Sequence, residues 1–429
     1  MLVTTGSAGD LFPFLAMGTA LQERGCLVTL FGPAMHAPLV QQAGLAFHPS
    51  PADPAVLADP DLWHPRRGFG VVWRAVRPGL AELLPLVQSL APGPLLIVAH
   101  PLAVPDAALC RALRPGVGVV AAYLAPSNIP TVYDPLLIGP LAVPRWVPHA
   151  VRRWMWKLVA AGFVDPVALP DVNAQRRAHG LAPVHNLLDF LRDAPDLAVT
   201  LFPEWFGARQ PDWPRALCPG YFALYDPAPE LAFSPELTRF LEAGAAPLVF
   251  THGTGNQQAH AYFAAALRAV GKLERRAVFL TPHRPQLPAG LPASVLWQPY
   301  VPFQKLLPRA AGLVHHGGVG TTAEALRAGV PQLIVPLAYD QFDNGARVAA
   351  LGAGLVLRHT RLSARSLAHK LRQLGSSASI ALQCRAIAAR MAAEPGLGMV
   401  LDALLDAMSN AAMSTAATKP GAYPKELFL

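Results

Sequence analysis

Gly312-Leu313-Val314-His315-His316-Gly317-Gly318-Val319-Gly320-Thr321-Thr322-Ala323-Glu324 is the most informative passage of the chain. An apolar strand over residues 312–315 feeds a glycine-rich turn, and the turn opens a helix expected over residues 321–327. Glycine keeps side-chain bulk away, so the backbone N–H groups at such a helix start collect into an anion site. Thr321 adds a hydroxyl donor, and His316 can supply a further donor to a phosphate oxygen. The spacing is neither GxGxxG nor GxxxxGK[ST], which turns the reading away from dinucleotides and P-loop nucleotides. A tight turn with a Thr321–Glu324 capping box would show the same T-x-x-E pattern without any ligand.

Downstream, Gly329 and Pro331 stop that helix, residues 331–336 read as an apolar strand, and Asp340 and Gln341 follow its carboxyl end. Ligands of open α/β sheets bind at the carboxyl ends of the strands, and an acceptor beside a donor suits a sugar diol. Turn formation and N-capping of a helix over 344–351 compete for both residues. The same alternation of short apolar and longer amphipathic runs extends in both directions, which predicts βα units and a parallel sheet. Residues 247–251, 277–281 and 295–297 read as strands, with a glycine-rich turn at 252–256 and a helix at 258–270. In the first half, 2–5, 27–31, 95–99, 118–122 and 197–202 read as strands, and 11–24 and 38–44 as helices. The strand at 2–5 is short for its place, as though the chain began a few residues too far downstream. A Pro-rich stretch over 203–229 divides the halves, so domains are expected over 1–215 and 230–407. The tail over 408–429 is expected to be poorly ordered.

At roughly 150 residues per domain, 429 residues allow two or three domains. Charged residues make up 14% and hydrophobic ones 52%, which excludes both a disordered chain and a charged scaffold. The net charge of +8 is spread without any run of five Lys or Arg, so nucleic acid is a poor partner and anionic ligands a better one. Cys26, Cys110, Cys218 and Cys384 form no CxxC pair and read as buried thiols of a reducing compartment. No basic segment followed by an apolar core opens the chain, and Pro or a charge interrupts each apolar stretch before about 18 residues. A cytoplasmic location is the expectation.

Trp297-Gln298-Pro299-Tyr300, the His316–Glu324 turn, Gly329-Val330-Pro331 and Asp340-Gln341 together resemble the donor-binding signature of family 1 glycosyltransferases. The resemblance covers nearly the whole chain. It implies an α/β protein of GT-B fold, with two Rossmann-like parallel-sheet domains facing each other across a cleft, the first binding the acceptor and the second the nucleotide sugar. Gly6-Ser7-Ala8-Gly9-Asp10-Leu11-Phe12-Pro13, Asp59-Pro60-Asp61-Leu62-Trp63 and Phe250-Thr251-His252-Gly253-Thr254 look like bacterial members. The closest similarity is to the B chain of rhamnolipid rhamnosyltransferases and the glycosyltransferases around it. By this resemblance Trp297 stacks on the nucleobase, and His316 with the backbone at Gly318, Gly320 and Thr321 holds the diphosphate. Glu324 takes the ribose, Asp340 and Gln341 the sugar, and Thr254 belongs to the phosphate-side loop. Val319-Gly320 stand where plant members carry Trp-Asn. Asp10 stands where many members place a catalytic His, which implies a general base. N-capping of the helix at 11–24 is the other account of Asp10.

The implied reaction is inverting and metal-independent. It moves a sugar from a nucleoside diphosphate, as dTDP-rhamnose or a UDP-hexose, to a hydroxyl of a hydrophobic or lipid acceptor, with no cofactor besides the nucleotide-sugar co-substrate. A GT-B-fold sugar-nucleotide epimerase and a non-catalytic sugar-nucleotide-binding subunit are the alternatives. Asp59-Pro60-Asp61 has the DxD spacing of metal-dependent transferases, but it lies in a Pro-rich loop with no strand before it and reads as structural. No metal site is expected. Residues 133–167 hold Trp146, Trp154 and Trp156 beside Arg145, Arg152, Arg153 and Lys157. They read as a cover over a substrate groove or as an interfacial helix, the latter giving peripheral contact with the inner face of the membrane. His100 and His149 read as unclustered core or surface histidines.

Overall fold

The computed structural model describes residues 1–64, 66–134, 137, 138 and 141–417. Its first half is built on β1 (Leu2–Val3), β2 (Thr29–Pro33), β3 (Ala46–Ser50), β4 (Leu95–Ala99) and β5 (Val117–Tyr123). A small antiparallel pair follows, β6 (Leu137–Ile138) with β7 (Leu141–Ala142), and then β8 (Leu197–Thr200) and β9 (Leu217–Cys218). Seven of these strands form one parallel sheet in the order β3-β2-β1-β4-β5-β8-β9. The second half carries β10 (Leu248–Thr251), β11 (Ala277–Leu280), β12 (Val295–Gln298), β13 (Gly312–His315), β14 (Gln332–Ile334) and β15 (Gly354–Val356). These make a second parallel sheet, ordered β12-β11-β10-β13-β14-β15.

Parallel strands covered by helices on both faces read as continuous apolar runs, because neither face meets water. All of Val117–Tyr123 is buried for this reason. Its side chains alternate between two layers. Val119, Ala121 and Tyr123 pack with Ile97 and Ala99 on one face. Val120 and Ala122 pack on the other with Leu11, Phe14 and Leu15 of the helix Ala8–Glu23.

The expected boundaries shift at two places. The Pro-rich stretch is no free spacer: β9 inside it pairs with β8, so the first sheet runs past residue 215. The Trp205 indole N–H reaches Glu394, and the Phe206 carbonyl accepts from Arg347 at 3.0 Å. Residue 407 falls inside the helix Gly398–Ala417, so the poorly ordered tail expected from residue 408 is helical as far as Ala417. Val400, Leu401 and Leu404 of that helix belong to the core of the first sheet, and Asp402 pairs with Arg24 at 2.5 Å. The rest of that tail, 418–429, lies outside the described residues.

The halves meet along their loops. Gln258 donates to the carbonyls of Ala58 (3.2 Å) and Asp59 (3.4 Å), and the Tyr339 hydroxyl donates to the carbonyl of Leu62. Asp59 accepts the N–H of Asp61 at 2.8 Å, while the Asp61 carboxylate takes Arg67 with two bonds of 2.7 and 2.8 Å. The Asp59-Pro60-Asp61 carboxylates therefore serve a turn and an ion pair. No helix among the described residues is long and apolar enough to cross a membrane.

Candidate functional site

In each sheet the strand order runs in opposite directions from the strand that comes first in sequence, and a crevice opens where that order reverses. In the first sheet that point lies between β1 and β4, in the second between β10 and β13. The loops after β4, β10 and β13 carry His100, His252 and His316, and Asp10 lies in the first turn of the helix Ala8–Glu23 that follows β1. Trp297 is the penultimate residue of β12 and Asp340 follows β14, so these residues too stand at the carboxyl edge of the second sheet.

The turn after β13 is held from below. His315 is fully buried; its Nδ1 accepts the Gly317 N–H at 3.1 Å and its Nε2 meets Gln332 Oε1 at 2.9 Å. Burial pushes His315 down to about 3, so it stays neutral and holds the turn rather than a ligand. Asn344 donates to the Gly317 carbonyl at 2.9 Å. Gly317 adopts φ 98°, and a Cβ there would stand 2.7 Å from Ile334. At Gly318 a Cβ would stand 2.7 Å from His316 Nε2, so glycine lets that ring lie against the turn.

The helix starts at Val319, with Gly318 as N-cap, two residues earlier than expected. Thr321 is therefore its third residue and Glu324 its sixth, and no Thr321–Glu324 capping box exists. A glycine N-cap offers no side-chain oxygen, so among the described residues no N-cap side chain covers the first N–H groups of the helix. In this turn, its helix and the neighbouring elements, His252 Nε2, His316 Nδ1, Thr322 Oγ1 and Asn344 Oδ1 are buried without a hydrogen-bond partner among the described residues. Buried polar atoms are nearly always paired, so such a cluster marks a place for a ligand. The His252 and His316 rings stand 6.0 Å apart. Asn256 donates to His252 Nδ1 at 2.7 Å, which puts the ring proton on the orphan Nε2. Burial pushes His316 down to about 4, so at neutral pH it acts as a neutral donor.

The other donor-side residues are each oriented by a neighbour. Trp297 donates its indole N–H to Thr281 O at 2.9 Å, and the Arg284 guanidinium lies 5.5 Å from its ring centre. Thr254 is exposed, and its carbonyl meets His283 Nε2 at 3.1 Å. Glu324 is 9% exposed and accepts from Arg327 at 2.5 Å. Burial raises its carboxyl, with Arg327 opposing. The Tyr300 hydroxyl, near enough to feel the Glu324 charge, donates to Asp226 at 2.7 Å. Asp340 occupies the N-cap position of the helix Gln341–Ala350, yet its side chain bonds no helical N–H. It accepts from the Asn344 amide at 2.7 Å instead. Desolvation lifts Asp340 to about 7, Asn344 opposing and the Asp10 and Asp343 charges adding. Gln341 Oε1 takes the N–H groups of Leu337 (2.8 Å) and Ala338 (3.2 Å), so its Nε2 is the end left to donate. Tyr339 has φ 55°, a left-handed strain of order 1–3 kcal/mol. That turn carries its ring to the edge of Trp63, 5.8 Å away, and so ties the sugar-side loop to the first half.

On the opposite wall, Asp10 is not an N-cap. Ser7 holds that position, and Asp10 Oδ2 accepts the Ser7 N–H at 2.8 Å and its hydroxyl at 3.2 Å. Oδ1 is left facing His100 Nε2 at 3.9 Å. His100 is not unclustered: its Nδ1 accepts from Leu102 N–H (3.2 Å) and meets Thr5 Oγ1 (3.0 Å), so the ring proton sits on Nε2, toward Asp10. Burial lowers the His100 pKa, with Asp10 opposing. Asp10 acts electrostatically on Tyr339 and Asp340, which brings the two walls together at one cleft. Sequence spacing could not pair Asp10 with His100, since β1 and β4 become neighbours only once the sheet forms. His252, Asn344 and Arg284 were missed in the same way.

The profile of the erythromycin biosynthesis protein CIII-like C-terminal domain matches residues 264–406. The chain is 31% identical over 413 residues to O-mycaminosyltylonolide 6-deoxyallosyltransferase of Streptomyces fradiae, covering 92% of this chain and 94% of that one. It is 26% identical over 426 residues to a sterol 3-beta-glucosyltransferase of Debaryomyces hansenii, covering 94% of this chain but 26% of that protein. A spinosyn rhamnosyltransferase solved with thymidine diphosphate superposes with a TM-score of 0.63 at 21% identity, covering 95% and 99% of the two chains. The chain belongs to the family 1 glycosyltransferases of GT-B fold. It is an enzyme, a glycosyltransferase. These relatives do not single out the rhamnolipid-type enzymes.

Proposed function

We propose that this glycosyltransferase takes its sugar from a nucleoside diphosphate, dTDP-rhamnose or a UDP-hexose, and delivers it with inversion to a hydroxyl of a hydrophobic acceptor. The observation that carries the reading is the open N-terminus of the helix Val319–Arg327, beside the unpartnered His252 Nε2 and His316 Nδ1 and set across the cleft from Asp10. The thymidine diphosphate in the spinosyn rhamnosyltransferase and the sterol named in the yeast relative support the choice of donor and acceptor classes.

Asp10 Oδ1 accepts the proton of the attacking hydroxyl while that oxygen bonds to the anomeric carbon. His100 Nε2–H faces the same oxygen at 3.9 Å and orients that carboxylate toward the cleft. The bond from the anomeric carbon to the diphosphate oxygen breaks, and the departing charge falls on the N–H groups at Val319–Thr321 and on His316. Base and leaving-group site stand on opposite walls, which suits a single displacement with inversion. Fixed donors aimed at the developing charge are worth most in a desolvated site, so this reading assigns the leaving group no metal ion and no cofactor. Asp340 accepts from one sugar hydroxyl and Gln341 Nε2 donates to its neighbour. Trp297 and Arg284 flank the base, and Glu324 takes the ribose. Catalysis is placed in the cytoplasm, where nucleotide sugars are made.

The test is thermal unfolding with UDP, dTDP and their sugars, followed by transfer to hydrophobic alcohols. A ligand at 100 times its Kd stabilises the folded state by about 2.7 kcal/mol. A melting temperature that no nucleoside diphosphate raises refutes the donor assignment. Stabilisation without transfer refutes the acceptor class.

A further inference from the structure

We propose that the surface formed by Trp146, Val151, Trp154, Leu158 and Phe163, with Arg145, Arg153 and Lys157, docks this enzyme on an anionic lipid bilayer. The inference stands apart from the transfer reading, because lipid binding is measured without turnover.

Between Asp134 and Asp165 the sequence holds four cations, Arg145, Arg152, Arg153 and Lys157, and no Asp or Glu. One of the four is used internally. Arg152 is buried and donates to the carbonyls of Val132 (2.9 Å), Pro144 (3.1 Å) and Arg145 (2.5 Å). Trp156 donates to Thr131 O at 2.9 Å, and the Tyr133 and His149 rings stand 4.5 Å apart. These bonds fix the base of the helix His149–Val159, so its outer face is presented by an anchored element.

That outer face has the pattern of an interfacial helix. Val151, Trp154 and Leu158 follow one another at helical spacing, and Arg153 and Lys157 lie four apart on the adjoining stripe. Trp146 is 82% exposed and Trp154 59%, with Val151, Leu158 and Phe163 exposed around them. A lone exposed apolar residue is ordinary; a contiguous group with two tryptophans marks a contact surface. Among the described residues no ion pair takes Arg145, Arg153 or Lys157. Free cations, no anions and amphipathic rings complement an anionic headgroup layer. The foot of the segment is tied to the site: Asp134 pairs with Arg347 of the helix Gln341–Ala350. A bilayer touching this face would lie beside the cleft that receives the acceptor.

The test is co-sedimentation of the full chain with vesicles of phosphatidylglycerol mixed with phosphatidylcholine, and with vesicles of phosphatidylcholine alone. The chain should bind the anionic vesicles with a blue shift of its tryptophan fluorescence, and the phosphatidylcholine vesicles far more weakly. A cation near an anionic surface contributes roughly fivefold, so Arg153→Gln with Lys157→Gln should weaken partition about 25-fold. Trp146→Ala with Trp154→Ala should weaken it by more than about tenfold. All four side chains are outside the core, and unchanged melting temperatures verify the fold. Equal binding to both vesicle types overturns the proposal, as does partition that either double variant leaves unchanged. Failure to bind vesicles, together with a sedimenting dimer that the tryptophan variant dissolves, overturns it in favour of a second copy of the chain.

Discussion

Asp10→Asn removes a charge and almost nothing else. Asp10 Oδ2 accepts the Ser7 N–H at 2.8 Å and its hydroxyl at 3.2 Å, and the Asn side-chain oxygen can accept both in the same place. What is lost in stability is the attraction of a carboxylate for the helix N-terminus, about 0.3–1 kcal/mol. The melting temperature should therefore fall by no more than about 2–4 °C. Donor affinity should hold or rise slightly, since the Asp10 charge opposes ionisation of Asp340 across the cleft. The rate is where the substitution should show. Without a base for the acceptor proton, transfer at saturating donor should drop by about 10²–10⁴. Initial rates of glycoside formation, with melting curves and nucleotide affinity on the same preparation, separate these effects. An Asn variant that turns over at the parental rate would leave Asp10 as part of a helix start and nothing more.

His100→Gln keeps a donor near Asp10 but changes its reach from the 3.9 Å of the parent, so kcat should fall by about tenfold or more while donor KM stays put. His316→Ala should cost about 1.5–3 kcal/mol of diphosphate binding, read by calorimetry. Trp297→Ala should weaken UDP and dTDP alone by about 1–3 kcal/mol, because a base stack does not involve the sugar. Asp340 gives a pH test. Burial raises its folded pKa from 3.8 to about 7, so the folded chain binds the extra proton between those values and stability from this group declines as pH rises through them. Asp340→Asn should accordingly gain stability relative to the parent from pH 4 to pH 7 in urea titrations, and a difference that is flat with pH contradicts the assignment.

The sequence was most legible where one segment carries its own chemistry. The β13 strand matches the expected residues 312–315, and the turn after it is recognisable from two histidines and two glycines in a row. Composition gave the parallel sheets, since β4 and β5 are unbroken apolar runs. Legibility failed where the outcome depends on distant partners. The short strand β9 has little pattern of its own and forms because β8 offers an edge. The helix Gly398–Ala417 reads locally as the end of the second half, but its apolar residues are used by the first sheet. At the site, the helix start was misplaced by two residues because Gly318, not Thr321, supplies the cap. The Asp10–His100 pair was hidden in the strand order, which no spacing in the chain reveals.

The most direct test of the central claim removes one backbone donor from the diphosphate site. Val319 is the first residue of its helix, the position where proline fits best, and Gly318 before it has φ −59° and ψ 142°, the extended form that precedes proline. Val319→Pro should therefore fold normally while lacking one N–H that points at the leaving group. Calorimetric titration of UDP and dTDP into parent and variant should show a loss of about 1.5–3 kcal/mol, the worth of a hydrogen bond to a charged group, at an unchanged melting temperature. Equal affinity in the two proteins would contradict the account and move the diphosphate away from this helix.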